Sequence, residues 1–498
     1  MPAIVASLII LLGLALRAYH LGQNQFWGDE GAQAWAAIQP TIGAILAVER
    51  VHVMAMPLDY LVSAMMTHVG LSEGILRIPS MIWGTLTIPM WFLIAKELLP
   101  GRKGYVVGLS TMFLLSLSKV HIQYSQEMRF YAALGFFYAF STWRLLRAHR
   151  NPSARNWGYF IAISAVGIYF HPYVYLVLVY GALLGLADLI SYKTHPEQTA
   201  PGANRAWQFI IGLCSSALVL LLIFLPAYSY FSHPIHAAQG APLTLPRVLE
   251  GLGLWNIDSA PLQYTAFYYV MIVATLLGFL LAFRERRWPM LLFALGAFIQ
   301  ITAIYGADWL SHYLMAPRQT IHLAPVLMLF ASVSIAALLD QTRRFGALTQ
   351  GLAAFLLAGV IGMLALPNIN AYYLTPKTNV RSEAERILRA YHPGDKILIS
   401  TDFGPASRQA FFFYFSQGPD GESAILNSSR YIALRDLGAL TREEPGQVFL
   451  ILGAKPIDAG TEDGLATLGF RCLTPGCFEV PSIRYMHGTP RVLIRDQP

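Results

Sequence analysis

The chain has 498 residues, of which 55% are hydrophobic and 13% charged, with a formal net charge of +7. A soluble domain carries roughly twice that charged fraction, and the apolar residues fall in long uninterrupted runs, so the composition excludes an ordinary soluble fold. The basic residues cluster between those runs, at Arg102/Lys103, Arg144/Arg147/Arg150/Arg155, Lys193/Arg205, Arg284/Arg286/Arg287 and Arg343/Arg344; this is the positive-inside pattern of a multi-pass membrane chain and not a nucleic-acid surface.

In chain order, the first apolar run covers 3–19. It lacks a basic leading region and no small-x-small site precedes the acidic pair that follows, so it reads as a retained helix and not a signal peptide. Further runs lie near 76–98, 105–118, 128–147, 157–170, 172–190, 207–230, 262–283, 288–305, 319–340 and 346–366. Taken together they predict an all-α polytopic domain of about eleven crossings, judged against the roughly 20 apolar residues a spanning helix needs. With the basic loops cytoplasmic, the N-terminus is inside. The segments 20–75, 119–127, 231–261 and 306–318, and the tail from 369, then lie outside the cell inner (plasma) membrane.

Segment 20–75 contains "AWAAIQPTIGAILAVER" and "PLDYLVSAMMTHVG". Both have helical apolar spacing but are too short to span, and are expected as helices lying at the membrane interface. The tail changes character. "RSEAERILRAYHPGDKILIS" predicts an amphipathic helix, a Pro-Gly turn and a strand; "PASRQAFFFYFSQ" predicts a helix, and "GQVFLILGA" and "PRVLIRD" predict strands. The division is therefore a transmembrane domain at 1–368 and a small extracytoplasmic α/β domain at 369–498. Cys214 falls within an apolar span, where inert packing is expected. Cys472 and Cys477 flank a turn, and a disulfide between them suits an oxidising compartment.

The chemistry-bearing residues gather at the outer ends of the apolar runs. "FWGDEGAQAW" places Asp29 and Glu30 side by side just after the first run; they either cap a helix beginning near Gly31 or act as an acid–base group. Arg77 enters the second run. "SKVHIQYSQEMRFYAAL" brings Lys119, His121, Glu127 and Arg129 to the mouth of another; "YFHPYVY" carries His171, and "YLMAPRQTIHLAP" carries Arg318 and His322. Arg17, at the outer end of the first run, is expected to snorkel to the head-group layer. Arg77 and Arg318 fit snorkelling and ligand binding equally, Arg129 either an ion pair with Glu127 or substrate contact. His52, His121 and His171 read as satisfied polar groups sooner than as metal ligands. One acid cluster with several cations at one membrane depth suits reaction at a lipid-linked phosphate: a departing phosphate needs cationic donors and no proton, while an incoming hydroxyl or amine needs a base.

"FWGDEGAQAW", "ILRIPSMIWGTLTIP" and "QYSQEMRFYAAL", in this order, resemble the GT-C membrane glycosyltransferases, in particular the bacterial branch related to dolichyl-phosphate-mannose protein mannosyltransferases and aminoarabinose transferases. The resemblance is clearest over 1–180. It implies a GT-C-type transmembrane domain and inverting transfer of a sugar from a polyprenyl-phosphate donor to a lipid, glycan or protein acceptor. It assigns Asp29 as the base and Glu30 as its supporting neighbour. Arg77 and Arg129 match positions that hold the donor phosphate or brace the loop; Arg318 and Lys119 are further phosphate-binding candidates, and His52, Glu127 and His171 complete the set. No metal or other cofactor is expected, and no nucleic-acid partner. Two departures stand out: "HVMAMPLDY" keeps His52 and Pro57 at a changed interval, and "APRQTIH" keeps Arg318 but has Gln319 where relatives have tyrosine. A transporter or flippase of a lipid-linked saccharide would be expected to show broken helices or internal repeats, and neither is legible. An O-antigen ligase or polymerase would place its largest outer loop late, whereas here the largest internal loop comes first.

Overall fold

A computed structural model describes residues 2–49, 56–194, 200–231, 245–253, 262–311, 317–400, 405–417, 429–432, 447–453, 459–473 and 491–495. In chain order the helices are α1 (Pro2–Ala18), α2 (Gly28–Ala37), α3 (Ile42–Glu49), α4 (Pro57–Thr67), α5 (Glu73–Leu98), α6 (Gly101–Ser116), α7 (Lys119–Ser125), α8 (Tyr131–Arg150), α9 (Ala154–Ile168), α10 (Val177–Thr194), α11 (Ala200–Phe231), α12 (Leu245–Gly251), α13 (Leu262–Arg284), α14 (Trp288–Ser311), α15 (Ala324–Thr342) and α16 (Ala347–Leu374). Short 3₁₀ turns at Pro172–Leu176 and Pro317–Leu323 lead into α10 and α15. The tail then forms α17 (Val380–Ala390), β1 (Lys396–Ser400), α18 (Pro405–Phe415), β2 (Ser429–Ile432), β3 (Val448–Leu452), α19 (Ala459–Thr467), β4 (Arg471–Cys472) and β5 (Arg491–Arg495).

The chain folds as two compact units, one of 1–19, 46–59 and 77–372, the other of 20–45, 60–76 and 373–498. Among the described residues seven helices are long and apolar enough to cross a membrane, or eight if α6 and α7, bent by 63°, form one broken span. The chain is therefore a multi-pass membrane protein. The further crossings expected from sequence fall on helices that do not meet that length and apolarity on their own: α1 and α9 are short, at 17 and 15 residues, and α8 ends in the basic run Arg144, Arg147, Arg150.

In the first unit α15 is the central element, packed on α6 and α13, with Leu329, Phe330, Ala331 and Val333 almost entirely enclosed. Large apolar side chains such as Leu218, Phe279 and Phe355 point outward, as a lipid-facing surface requires. Cys214 also lies on that surface and is exposed, so the expected packing role does not hold. Arg17 differs from expectation too. It does not snorkel but is fully enclosed, its Nε donating to Ser125 Oγ at 3.1 Å, Nη1 to the Gly13 carbonyl at 3.0 Å and Nη2 to the Leu115 carbonyl at 3.2 Å. Leu115 sits in the last turn of α6, where carbonyls lack helical donors, so the arginine joins α1, α6 and α7. Gly84 on α5 makes room for it: a Cβ there would lie 1.9 Å from Ser125 Oγ.

In the second unit, five strands form one mixed sheet in the order β2-β1-β3-β5-β4. β1 runs parallel to β2 and β3, with Ile397 opposite Phe449; β5 runs antiparallel to β3 and β4. β3 and β5 are buried along their whole length, which is why "VFLIL" is a continuous apolar run without alternation. Cys472 is disulfide-bonded; its expected partner, Cys477, lies outside the described residues.

Replacing Arg17 with Met is expected to lower stability by about 1.5–3 kcal/mol, the range for hydrogen bonds made by a charged group. Ser125→Ala should cost less. Thermal denaturation of the detergent-solubilised protein, followed by tryptophan fluorescence, measures both.

Candidate active site

The acid pair opens α2. This helix starts at Gly28, preceded by extended backbone at Trp27 with no side-chain cap, so the expected start near Gly31 lies three residues too late. Asp29 and Glu30 are not caps but first-turn residues, where the unpaired N–H groups and the helix dipole favour negative charge. Their side chains have different surroundings. Glu30 is fully buried and its Oε2 lies 3.8 Å from Nζ of Lys377, which is itself fully buried. Asp29 is half-buried. The two carboxylates thus differ in exposure: Glu30 is enclosed, and solvent reaches Asp29.

The residues before the pair are fastened by the segments that follow α16. Lys377 N–H donates to Asn24 Oδ1 at 3.3 Å. Gln25 Oε1 accepts from the backbone N–H groups of Arg381 and Ser382 at 2.8 and 3.3 Å, and its Nε2 donates to Ser382 Oγ at 2.6 Å. Asn379, at the N-cap of α17, makes no side-chain cap bond, so Gln25 satisfies orphan donors of a helix more than 350 positions away in sequence. Phe26 N–H donates to the Tyr414 hydroxyl at 2.8 Å. That hydroxyl donates to Glu73 Oε1 at 3.0 Å, and Arg381 Nη1 donates to the same oxygen at 2.8 Å. Behind the pair α2 packs directly on α18. Only glycine allows this at position 31, where a Cβ would come within 2.1 Å of Ala410 Cβ. Gln33 Nε2 donates to Ser63 Oγ at 2.8 Å, joining α2 to α4.

The cations belong to the first unit. Arg77 on α5 is buried, as are Arg129 and Glu127, between α7 and α8. The Arg129 carbonyl accepts from Ser80 Oγ at 3.4 Å, and its guanidinium lies 5.1 Å from the Phe130 ring. Glu127 Oε1 accepts from Gln123 Nε2 at 3.5 Å. Arg318 donates from Nε to the Tyr131 hydroxyl at 2.6 Å. Lys119 begins α7, partly exposed. A hydrophobic cluster of Val120, Phe130, Tyr131 and Ile321, with Tyr124 against it, brings the 119–131 segment to the turn that holds Arg318. Tyr124 lies within electrostatic reach of Glu127, Arg318 and Glu250. His171 caps the turn before α10 and is fully buried; burial first, then the charges of His322 and Arg129, holds its imidazole well below the usual range, so the ring is neutral. His52 lies outside the described residues. No group of three or more potential metal ligands occurs among the described residues.

Lys377 and Glu250 are the residues that sequence patterning does not point to. Lys377 follows the last apolar run in "LTPKTNV" and has the look of an ordinary post-membrane cation. Its partner is in the first loop, beyond the range of any local pattern.

This architecture has known counterparts. Residues 55–197 match the family model of dolichyl-phosphate-mannose-protein mannosyltransferase. The fold is similar to that of ArnT from Cupriavidus metallidurans in the apo state, with TM-score 0.58 and 14% identity, covering 98% of this chain and 97% of that one. ArnT from the same organism bound to undecaprenyl phosphate gives TM-score 0.55 at 13% identity, with the same coverage. The oligosaccharyltransferase of Archaeoglobus fulgidus gives 0.56 at 11% identity, covering 94% of this chain and 71% of that one. No curated protein sequence matches the chain. The resemblance to GT-C membrane glycosyltransferases read in the sequence thus holds in the family match and in the fold of nearly the whole chain.

Lys377→Met should destabilise the protein by about 3–5 kcal/mol, because it leaves a buried carboxylate without its counter-charge. The double variant Glu30→Gln/Lys377→Met should recover most of that loss. A double-mutant cycle on melting temperature measures the coupling.

Proposed function

We propose that this protein is an inverting glycosyltransferase that moves a sugar from a polyprenyl-phosphate donor to a lipid, glycan or protein acceptor at the outer face of the inner membrane. The observation that carries the reading is the acid pair opening α2, with Glu30 enclosed and Asp29 within reach of solvent, on a fold similar over 98% of this chain to that of ArnT, one of whose structures holds undecaprenyl phosphate. In this reading α1, the α6–α7 pair, α8 and α9 also cross the bilayer, giving eleven crossings, a cytoplasmic N-terminus and an extracytoplasmic tail domain.

The chemistry is a single displacement. The Asp29 carboxylate takes the proton of the acceptor hydroxyl or amine as that atom bonds to the anomeric carbon. The bond from that carbon to the phosphate oxygen breaks on the opposite face, and the polyprenyl phosphate departs with the bonding pair. A phosphate dianion is a stable leaving group without protonation, so what the step needs is positive charge already in place. Arg129 and Arg318 are assigned that role, with Lys119 at its edge and Arg77 as a brace. Glu30 keeps the first turn of α2 in position and does not exchange protons with substrate. No step in this scheme requires a metal ion.

Asp29→Asn is expected to lower transfer at least about 100-fold, the lower range for loss of a general base, with unchanged melting temperature and donor affinity. Incorporation of labelled sugar from a polyprenyl-phosphate donor measures it; near-normal incorporation would refute the assignment. Arg129→Ala and Arg318→Ala should each weaken undecaprenyl phosphate binding by about tenfold through loss of a charge-assisted hydrogen bond, read by titration of the lipid phosphate in nanodiscs. Unchanged affinity in a folded variant would remove that residue from the phosphate site.

A further inference from the structure

The turn between α8 and α9 gathers positive charge that the protein's own carboxylates do not answer. The two helices pack side by side, with Ser164 Oγ donating to Ser141 Oγ at 3.0 Å in their interior. Ser153 Oγ caps α9 by accepting from the Asn156 N–H at 3.4 Å, and Asn156 Nδ2 donates to the Asn151 carbonyl at 2.8 Å. This closed turn sets Arg144, near the end of α8, against the start of α9. Arg144 Nη2 donates to Asn156 Oδ1 at 3.3 Å, and its guanidinium lies 4.4 Å from the Tyr159 ring and 5.1 Å from the Trp143 ring. Arg155 approaches the same tyrosine: its Nε donates to the hydroxyl at 3.3 Å, and its guanidinium lies 5.5 Å from the ring. One tyrosine thus holds two guanidiniums beside each other.

The neighbouring cations have acidic partners. Arg147 and Arg150 reach Glu97 at 3.5 and 2.9 Å, and His149 meets Asp188 at 2.9 Å. Among the described residues no carboxylate pairs with Arg144 or Arg155, and the ionisable groups that act on Arg144 are Arg147, Tyr159 and Arg155. Arg144 Nε is buried with no hydrogen-bond partner among the described residues. Arg155 stands in the first turn of α9, where the helix dipole opposes a cation. Like charges this close repel, and two adjacent guanidiniums are the donors that phosphate oxygens match.

The surface leading away from the pair is apolar. Arg155, Tyr159, Ala162 and Val166 recur at helical spacing on one exposed face of α9, with Tyr159 45% and Val166 43% exposed. Gly158 beside them leaves open space, since a Cβ there would meet nothing within 4 Å. Charge at one end and an apolar track behind it complement a molecule with a phosphate head and a hydrocarbon tail, and Trp143 and Tyr159 are the residue types that settle at head-group level. We infer that Arg144 and Arg155 hold the phosphate of an anionic phospholipid, with one acyl chain along Tyr159, Ala162 and Val166. The site lies toward the opposite end of α8 from Arg129, which precedes that helix. It does not depend on the glycosyl-transfer reading, only on α8 and α9 lying in the membrane.

The test uses the full-length protein in phosphatidylcholine nanodiscs containing increasing fractions of phosphatidylglycerol, with the lipid retained after release into detergent counted by native mass spectrometry. The wild type should retain phosphatidylglycerol in preference to phosphatidylcholine. Arg155→Gln should weaken that retention about fivefold and Arg144→Gln/Arg155→Gln about 30-fold, the effect of removing one and two cations from an anionic lipid surface. Arg343→Gln/Arg344→Gln, which removes another exposed basic pair, should leave it unchanged. Arg155 is exposed, so its single variant carries the test should the double variant not fold. Inorganic phosphate should not displace the retained lipid; displacement would make this a site for a free anion and overturn the inference. Equal retention by the wild type and the Arg144 and Arg155 variants would show two solvated surface arginines and also overturn it. Retention of undecaprenyl phosphate in place of phosphatidylglycerol, lost in the same variants, would give the site to the polyprenyl lipid and overturn it too.

Discussion

A carboxylate removed from water needs a counter-charge within reach, and the second unit is organised around meeting that need at Glu30. Glu30 is buried in the first turn of α2, and Lys377, at the entrance to the tail, brings a cation to 3.8 Å from it. Once Lys377 is there, the residues on both sides of it fall into place. Asn24 bonds its backbone, Gln25 closes the start of α17, and Tyr414 and Arg381 share the carboxylate of Glu73. The stretch leading into α2 is thereby tied to the tail by side-chain hydrogen bonds from Asn24 and Gln25 and by the backbone of Phe26.

Matching of buried polar groups also organises the interior of the transmembrane unit, where no water is available to substitute. Arg17 is spread over a hydroxyl and two carbonyls. Gln126 donates to the Arg17 carbonyl at 2.9 Å and accepts from the Tyr372 hydroxyl at 3.0 Å. Tyr138 pairs with Gln300, and Thr111 with Ser332.

Much of this architecture is legible in the sequence because its signals are local. The long apolar runs become helices, and "KILIS", "VFLIL" and "RVLIR" become strands, since periodicity and run length are set within a dozen residues. What escapes is whatever depends on distant partners. Arg17 looks like a snorkelling residue because its position at a helix end is visible and Ser125 and Leu115 are not. The start of α2 is misplaced because two acidic residues suggest a cap, whereas the helix begins at a glycine with no side-chain cap at all. Lys377 carries no signal of its own. Asp29 and Glu30 look alike in the sequence; that Glu30 is enclosed while solvent reaches Asp29 depends on which way the helix turns each of them.

The bond from Gln25 to the first N–H groups of α17 has a consequence for how the molecule is made. The two segments are separated by 356 positions, and a ribosome adding roughly 5–20 residues per second emits the second about 20–70 seconds after the first. Throughout that interval the loop bearing Asp29 has emerged without the backbone it will close or the lysine that will neutralise Glu30. The hydrogen bonds and the ion pair that hold the start of α2 therefore form only after the tail has been made.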